Sequence, residues 1–66
     1  MRIDRVKLAV ELARREMRSK KLSELSGVSH ATISAIKGGK AVSSYTVQKI
    51  AHALDVDATE LLEAAK

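Results

Sequence analysis

The sequence contains no cysteine and no proline, and it has only three glycines and one aromatic residue, Tyr45. Without cysteine there is no disulfide framework, and two isolated histidines do not supply the ligand spacing of a structural zinc site. A core in a chain below about 70–80 residues contributes only a few kcal/mol, so association with a second copy is the remaining way to stabilise 66 residues. These absences predict no metal, no cofactor and a homodimer.

Long hydrophobic runs are also missing, which argues against a membrane-spanning helix and against a signal-peptide core. A basic amphipathic first helix could lie on a membrane surface, but it lacks the Trp and Phe that such helices use as anchors. We therefore expect a soluble, cytoplasmic protein with no membrane partner.

Charge is distributed unevenly along the chain. Residues 1–40 contain ten Lys or Arg and four Asp or Glu, whereas residues 41–66 contain two and four. The net charge of +6 in the first part favours a polyanionic partner such as nucleic acid. A solvated basic face would give the same pattern, so both interpretations stay open at this point.

Five helix starts follow from one repeated spacing, in which an apolar residue before an N-cap packs on another five positions later. The pairs are Ile3 with Leu8, Met17 with Leu22, Val28 with Ile33, Val42 with Val47, and Val56 with Leu61. The cap positions between them are Asp4, Arg18, Ser29, Ser43 and Asp57. Four of these have a side-chain oxygen that accepts a free helix N–H. We predict one compact, all-α, five-helix domain over residues 1–66, with helices at roughly 4–16, 18–26, 29–37, 43–54 and 57–65.

The apolar faces of these helices predict the core. Helices four and five have stripes at i, i+3, i+4 and i+7, formed by Val47, Ile50, Ala51 and Leu54 and by Ala58, Leu61, Leu62 and Ala65. The first helix has an apolar arc of about 200°, which is typical of a helix packed against several others. Its members are Val6, Leu8, Ala9, Val10, Leu12 and Ala13.

A sharp turn is expected between helices two and three, where only Ser26, Gly27 and Val28 intervene. Glycine adopts positive φ without a steric cost, so this short link turns one helix onto the next in a helix-turn-helix geometry. Gly38 and Gly39 then end the third helix.

The segment from Arg18 to Lys40, RSKKLSELSGVSHATISAIKGGK, resembles the helix-turn-helix of Cro and lambda-repressor-like (XRE) regulators, and the resemblance continues through VQKIAHALDVDATELL. It implies a five-helix DNA-binding domain, usually dimeric, that acts as a transcription regulator such as a repressor. Arg18, Ser19, Ser23 and Ser26 depart from the residues common in the family. The loop after Gly39 also looks one residue short and lacks its usual proline.

In this docking mode the third helix lies in the major groove of double-stranded DNA, with its N-terminal residues nearest the bases. The resemblance places the base-reading positions at His30, Ala31 and Ala35, and the exposed face adds Ser34. Alanine can touch a thymine methyl group but makes no side-chain hydrogen bond. Direct readout should therefore depend on His30 and Ser34, with Thr32 as a further candidate.

Phosphate contacts are expected on both sides of that helix. Lys20 and Lys21 lie in the first turn of helix two, where the helix dipole disfavours cations and where a DNA phosphate would accept the free N–H groups. The other interpretation is that these lysines only aid solubility. The complete set of predicted phosphate contacts is Arg18, Ser19, Lys20, Thr32, Lys37, Lys40, Ser43, Ser44 and Tyr45.

Other functions find less support in the sequence. There is no P-loop, no HExxH motif and no nucleophile with a paired base, so we expect neither an enzyme nor a catalytic residue. Leu62 and Ala65 are the predicted contacts of a homodimer. The competing hypothesis is a protein-interaction module of the same fold, which binds a second regulator or a toxin. We expect the protein to be associated with the nucleoid when it is bound to DNA.

Overall fold

A computed structural model describes residues 1–63. Four α-helices follow one another along the chain, and a short 3-10 turn, Ala58–Glu60, comes after them. The helices are α1 (Arg5–Arg14), α2 (Ser19–Ser26), α3 (His30–Lys37) and α4 (Ser44–Leu54). α2 packs against both α3 and α4, and the 3-10 turn packs against α4.

All five predicted cap positions are confirmed. The Asp4 carboxylate accepts from the N–H of Val6 at 2.8 Å and begins α1. Ser29 and Ser43 cap α3 and α4 by accepting backbone N–H groups three residues later, each at 3.2 Å. Arg18 also occupies the N-cap position of α2, but its side chain makes no hydrogen bond to that helix.

The predicted fifth helix at 57–65 is wrong over the described part of that segment. Helical structure stops after Glu60, and Leu62 forms an isolated antiparallel bridge with Ile3. The reason is a tertiary one. The Leu61 carbonyl accepts from the N–H of Asp4 at 2.7 Å, and the Leu62 carbonyl accepts from Lys7 Nζ at 2.9 Å. These bonds hold Leu62 in its bridge with Ile3, where local periodicity predicts a helix. Ala65 lies outside the described residues.

The buried core is built from the apolar pairs that predict the helix starts. Seven of the ten residues in those pairs are buried, and Met17, Val42 and Val56 are half-buried and pack against the others. The core consists of Ile3, Leu8, Leu12, Leu22, Val28, Ile33, Ile36, Val47, Ile50, Ala51, Leu54 and Leu61. Its position directly beneath α3 fixes which face of that helix can contact solvent.

The turn between α2 and α3 has the predicted geometry. Gly27 has a φ of +74°, in the left-handed region, and its N–H donates to the Ser23 carbonyl at 2.9 Å. Ser23 Oγ donates to the Val28 carbonyl at 2.6 Å. Ser26 Oγ donates to the Leu22 carbonyl at 2.7 Å and accepts from the N–H of Val28 at 3.1 Å. The two serines that depart from the family pattern therefore fasten the turn.

The first helix buries less of its surface than its apolar arc predicts. Only Leu8 and Leu12 are buried. The rest of the arc faces solvent, with Val6 71% and Val10 48% exposed. Ala9 and Ala13 are also exposed and extend this stripe along the helix at i, i+3, i+4 and i+7 spacing. The prediction that the whole arc packs against other helices is therefore wrong.

Candidate nucleic-acid interface

The exposed face of α3 is the centre of the candidate interface. Ile33 and Ile36 are fully buried, which anchors the helix on the core. His30, Ala31 and Ser34 are exposed on the other side, and Ala35 is half-buried. The outer face of α3 therefore presents two polar side chains, those of His30 and Ser34, together with two small alanines. Their hydrogen-bonding groups match the donors and acceptors on base edges.

Thr32 serves the cap of α3. Its hydroxyl lies 2.8 Å from Ser29 Oγ, and its N–H donates to the same oxygen at 3.2 Å. The side chain is half-buried. Because its hydroxyl already bonds to Ser29, Thr32 is better suited to contact the DNA phosphate backbone than to read a base.

The start of α2 leaves backbone donors without protein partners. In the part of the chain that the structure describes, no acidic side chain lies in the first turn of α2 and no side chain caps it. Leu22 is the first residue of this helix whose N–H is bonded within the chain, to the Arg18 carbonyl at 3.0 Å. The N–H groups of the first turn and the exposed Lys20 and Lys21 therefore point to a site for an anion.

Lys37 connects the end of α3 with the start of α2, because its ammonium group donates to Ser19 Oγ. Sequence analysis missed this contact. The two residues are 18 positions apart and no local pattern relates them. The hydrogen bond brings two predicted phosphate contacts together, and it fixes the long Lys37 side chain beside α2.

Five predicted contacts line one groove of about 790 Å³: Arg18, Ser19, Lys20, His30 and Lys37. We call it the basic groove; Arg5, apolar side chains of α1 and Met17 complete its lining. Lys40, Ser43, Ser44 and Tyr45 lie outside this groove. The structure therefore joins the expected base reader His30 to one set of phosphate contacts, whereas the second set forms a separate surface at the start of α4.

Tyr45 is exposed at the surface and does not pack into the core. Its side chain is 67% exposed, and Lys49 Nζ lies 4.9 Å from the centre of its ring. A cation at this distance is attracted to the ring face. Sequence analysis did not single out Lys49, although its position one helical turn after Tyr45 is a detectable signal. The neighbouring Ser43 uses its hydroxyl to cap α4, and Ser44 is exposed.

Few of the basic side chains are neutralised. Across residues 1–63, the ion pairs are those of Glu11 with Arg14 and Arg15, at 3.5 and 2.6 Å, and all three residues belong to α1 or its C-cap. The cations at the start of α2 and the end of α3 thus have no acidic partner within the described chain. Their charge is available to an external polyanion.

Two further findings concern other kinds of site. Within the described residues, no three His, Cys, Asp or Glu side chains are grouped so that they could hold a metal ion. Over the same range, no helix has both the length and the apolar character to cross a membrane.

The fold agrees with the comparison to known families. A family model of the Cro/C1-type helix-turn-helix DNA-binding domain matches residues 7–66. The chain belongs to this family. The resemblance of the Arg18 to Lys40 segment is thereby confirmed, and the exposed α3 is the second helix of a Cro/C1-type helix-turn-helix.

Solved structures show the same fold within longer proteins. A variant of hydroxyethylphosphonate dioxygenase superposes with a TM-score of 0.86 at 26% identity. PhpD with cadmium complexed with hydroethylphosphonate and native PhpD with cadmium atoms give TM-scores of 0.83 and 0.84 at 24% identity. Each match covers 100% of this chain and 14% of the other. No curated protein matches the chain.

Proposed function

We propose that residues 1–66 form one helix-turn-helix domain that binds double-stranded DNA sequence-specifically and regulates transcription, as a repressor of the Cro type. One observation carries the proposal: the exposed His30 and Ser34 face of α3 lies beside cations that have no acidic partner in the described chain. α3 lies in the major groove, and His30 and Ser34 donate to or accept from base edges. Ala31 and Ala35 contribute apolar contact with thymine methyl groups.

Two sets of phosphate contacts fix the register of the domain on DNA. At the start of α2, a phosphate accepts the free N–H groups and meets Arg18, Ser19 and Lys20, with Lys37 beside them. At the far side, Lys40 and the start of α4 supply the second set. Tyr45 offers its hydroxyl there, and Lys49 adds a cation that stays close to the ring.

A homodimer would place two copies of α3 on half-sites about one helical turn apart. Leu62 remains the proposed self-contact, although it lies in a bridge rather than on a helix. It is half-buried, and it shares a shallow depression with Met1, Arg2 and Glu63. In a two-fold contact the opposite charges of Arg2 and Glu63 can pair across the axis. Ala65 lies outside the described residues.

Binding rather than catalysis is the proposed activity. One of the solved structures is a dioxygenase, but the likeness covers 14% of its chain. We propose a cytoplasmic location for the protein, and association with the nucleoid when it is bound to DNA.

Selection from a random pool of DNA duplexes tests the proposed function. We expect enrichment of a site with two related halves, and a log affinity that falls linearly with log salt concentration because phosphate contacts release counterions. An interaction module of the same fold would enrich no sequence and would show no salt-dependent retention on duplex DNA.

A further inference from the structure

The basic groove has an apolar floor, although it lies beside the proposed DNA contacts. The floor includes Ala9 and Ala13 on α1 and Met17 in the link to α2. The two alanines are exposed and Met17 is half-buried. The phosphates of a nucleic-acid backbone account for the cations of the groove but not for its apolar floor. The floor therefore fits a ligand with an apolar side of its own.

The rim of this groove has one sign of charge. Arg5, Arg18, Lys20 and Lys37 surround the floor. Among the residues of the described chain that line the groove, none is Asp or Glu. This pattern belongs to the groove side of α1, where Val6 and Val10 lie with Arg5 and Lys37, because on the other side the same two valines lie with Lys7, Glu11 and Glu60. An apolar strip within a cationic rim complements an apolar strip within an anionic rim.

From this complementarity we infer that the basic groove binds an acidic amphipathic helix of a partner protein. The helix lays its apolar face on Ala9, Ala13 and Met17, and its flanking carboxylates pair with Arg5, Lys20 and Lys37. Small side chains at positions 9 and 13 allow the backbone of a docking helix to approach α1 closely.

A second copy of this chain fits the basic groove poorly because of its charge. The protein has a net charge of +4, and α1 begins and ends with arginine. Two copies packed through the basic groove would bring Arg5, Lys20 and Lys37 of one copy towards the same residues of the other. Like charges brought together in this way destabilise the contact.

Docking and DNA binding exclude each other, because Arg18, Lys20, His30 and Lys37 line the groove and are also proposed DNA contacts. This part of the inference rests on the proposed function, whereas helix docking does not. The acidic helix would occupy the cations that otherwise meet phosphates, and it would cover His30 at the tip of α3. The domain would then be regulated by a protein that displaces it from its DNA site.

The probe for this inference is a synthetic helical peptide with leucines at i, i+3, i+4 and i+7 spacing and glutamates on both flanks. A scrambled peptide of the same composition is the control for charge alone. We expect the amphipathic peptide to bind the full chain at least about tenfold more tightly than the scrambled one, and saturating peptide to release bound duplex. Equal affinity for the two peptides, or simultaneous binding of peptide and duplex, would overturn the inference.

A pair of uncharged substitutions tests whether the peptide binds in the basic groove. Ala9→Gln with Ala13→Gln fills the floor with polar side chains that suit a helix, and should weaken peptide binding about tenfold while leaving duplex affinity within about twofold. Leu25→Gln makes a similar change at a residue that is 51% exposed on α2, outside the groove, and should leave peptide affinity unchanged. Unchanged peptide affinity in the double variant would contradict the inference, and so would loss of self-association in that variant. Peptide binding without any duplex binding would instead refute the proposed function.

Discussion

At the scale of single residues, short polar side chains hold the helix starts and the turn in place. Ser26 is the most constrained of them, because it is only 8% exposed and its hydroxyl both donates to and accepts from the backbone. The hydrogen bonds of Ser23 and Ser26 take the place of the close apolar packing that alanine would provide at the same positions. A residue with this role stabilises the turn without contacting any ligand.

Ser26→Ala should lower the free energy of unfolding by about 1–3 kcal/mol, because the buried N–H of Val28 loses its acceptor. For a domain of this size each kcal/mol corresponds to roughly 4–8 °C in the melting temperature, which calorimetry measures. Ser34→Ala on the exposed face of α3 is the matched control and should stay within about 0.5 kcal/mol. Equal melting temperatures for the two variants would contradict this role of Ser26.

Among the secondary-structure elements, the starts of α1 to α4 are predictable from the sequence, whereas the structure of the segment after Asp57 is not. Each cap and each apolar pair acts within a few residues, so local spacing fixes α1 to α4 to within one or two residues. The segment after Asp57 is decided by hydrogen bonds to residues 2–4 and to Lys7, more than 50 positions earlier. Periodicity in a short window contains no information about such partners.

The Gly27 turn has a direct test. Gly27→Ala should lower the free energy of unfolding by about 1–2 kcal/mol, because φ is +74° and a side chain is disfavoured there. The added Cβ would meet only Lys49 Nζ, at 3.8 Å, so the effect belongs to the backbone and not to a clash. Gly38→Ala is the control, since Gly38 has a φ of −82°. If thermal unfolding shows the same loss for both variants, backbone strain at Gly27 is not the cause.

The stability that Asp57 provides at the start of the 3-10 turn should depend on pH. Hydrogen bonds from the N–H and then the hydroxyl of Thr59 lower the pKa of Asp57 below its usual 3.8. The carboxylate therefore stabilises the folded state above the pKa of the unfolded chain, and this contribution is lost as pH falls through the lower pKa of the folded state. The difference in melting temperature between wild type and Asp57→Ala should shrink between about pH 6 and pH 2. A difference that stays constant over this range would contradict the assignment.

At the scale of the whole molecule, the fold separates an apolar core from a cationic surface. The apolar positions of α3 predict which residues lie on its outer face, and the buried Ile33 and Ile36 confirm that orientation. They do not predict the contact of Lys37 with Ser19, or the basic groove. Both bring together residues from different helices, so they depend on how the helices are packed and not on any local pattern.

Self-association is a property of the whole molecule and depends on Leu62. We expect the wild type to sediment as a dimer, and Leu62→Glu to sediment as a monomer because it removes an apolar side chain from the self-contact and adds a carboxylate close to Glu63. Helical circular dichroism should be unchanged, and Leu62→Gln should weaken the dimer less. A wild type that stays monomeric at high concentration and binds DNA as a monomer would contradict the proposed contact.

We propose that the tip of α3 reads bases while the start of α2 holds phosphate. Binding titrations of His30→Ala and Lys20→Ala on selected and scrambled duplexes, at several salt concentrations, separate these two roles. His30→Ala should weaken only the selected duplex, by about 1–3 kcal/mol, and leave the salt slope unchanged. Lys20→Ala should weaken both duplexes and reduce the slope of log affinity against log salt by about one unit. If His30→Ala weakens both duplexes equally, His30 does not read a base and the claim is wrong.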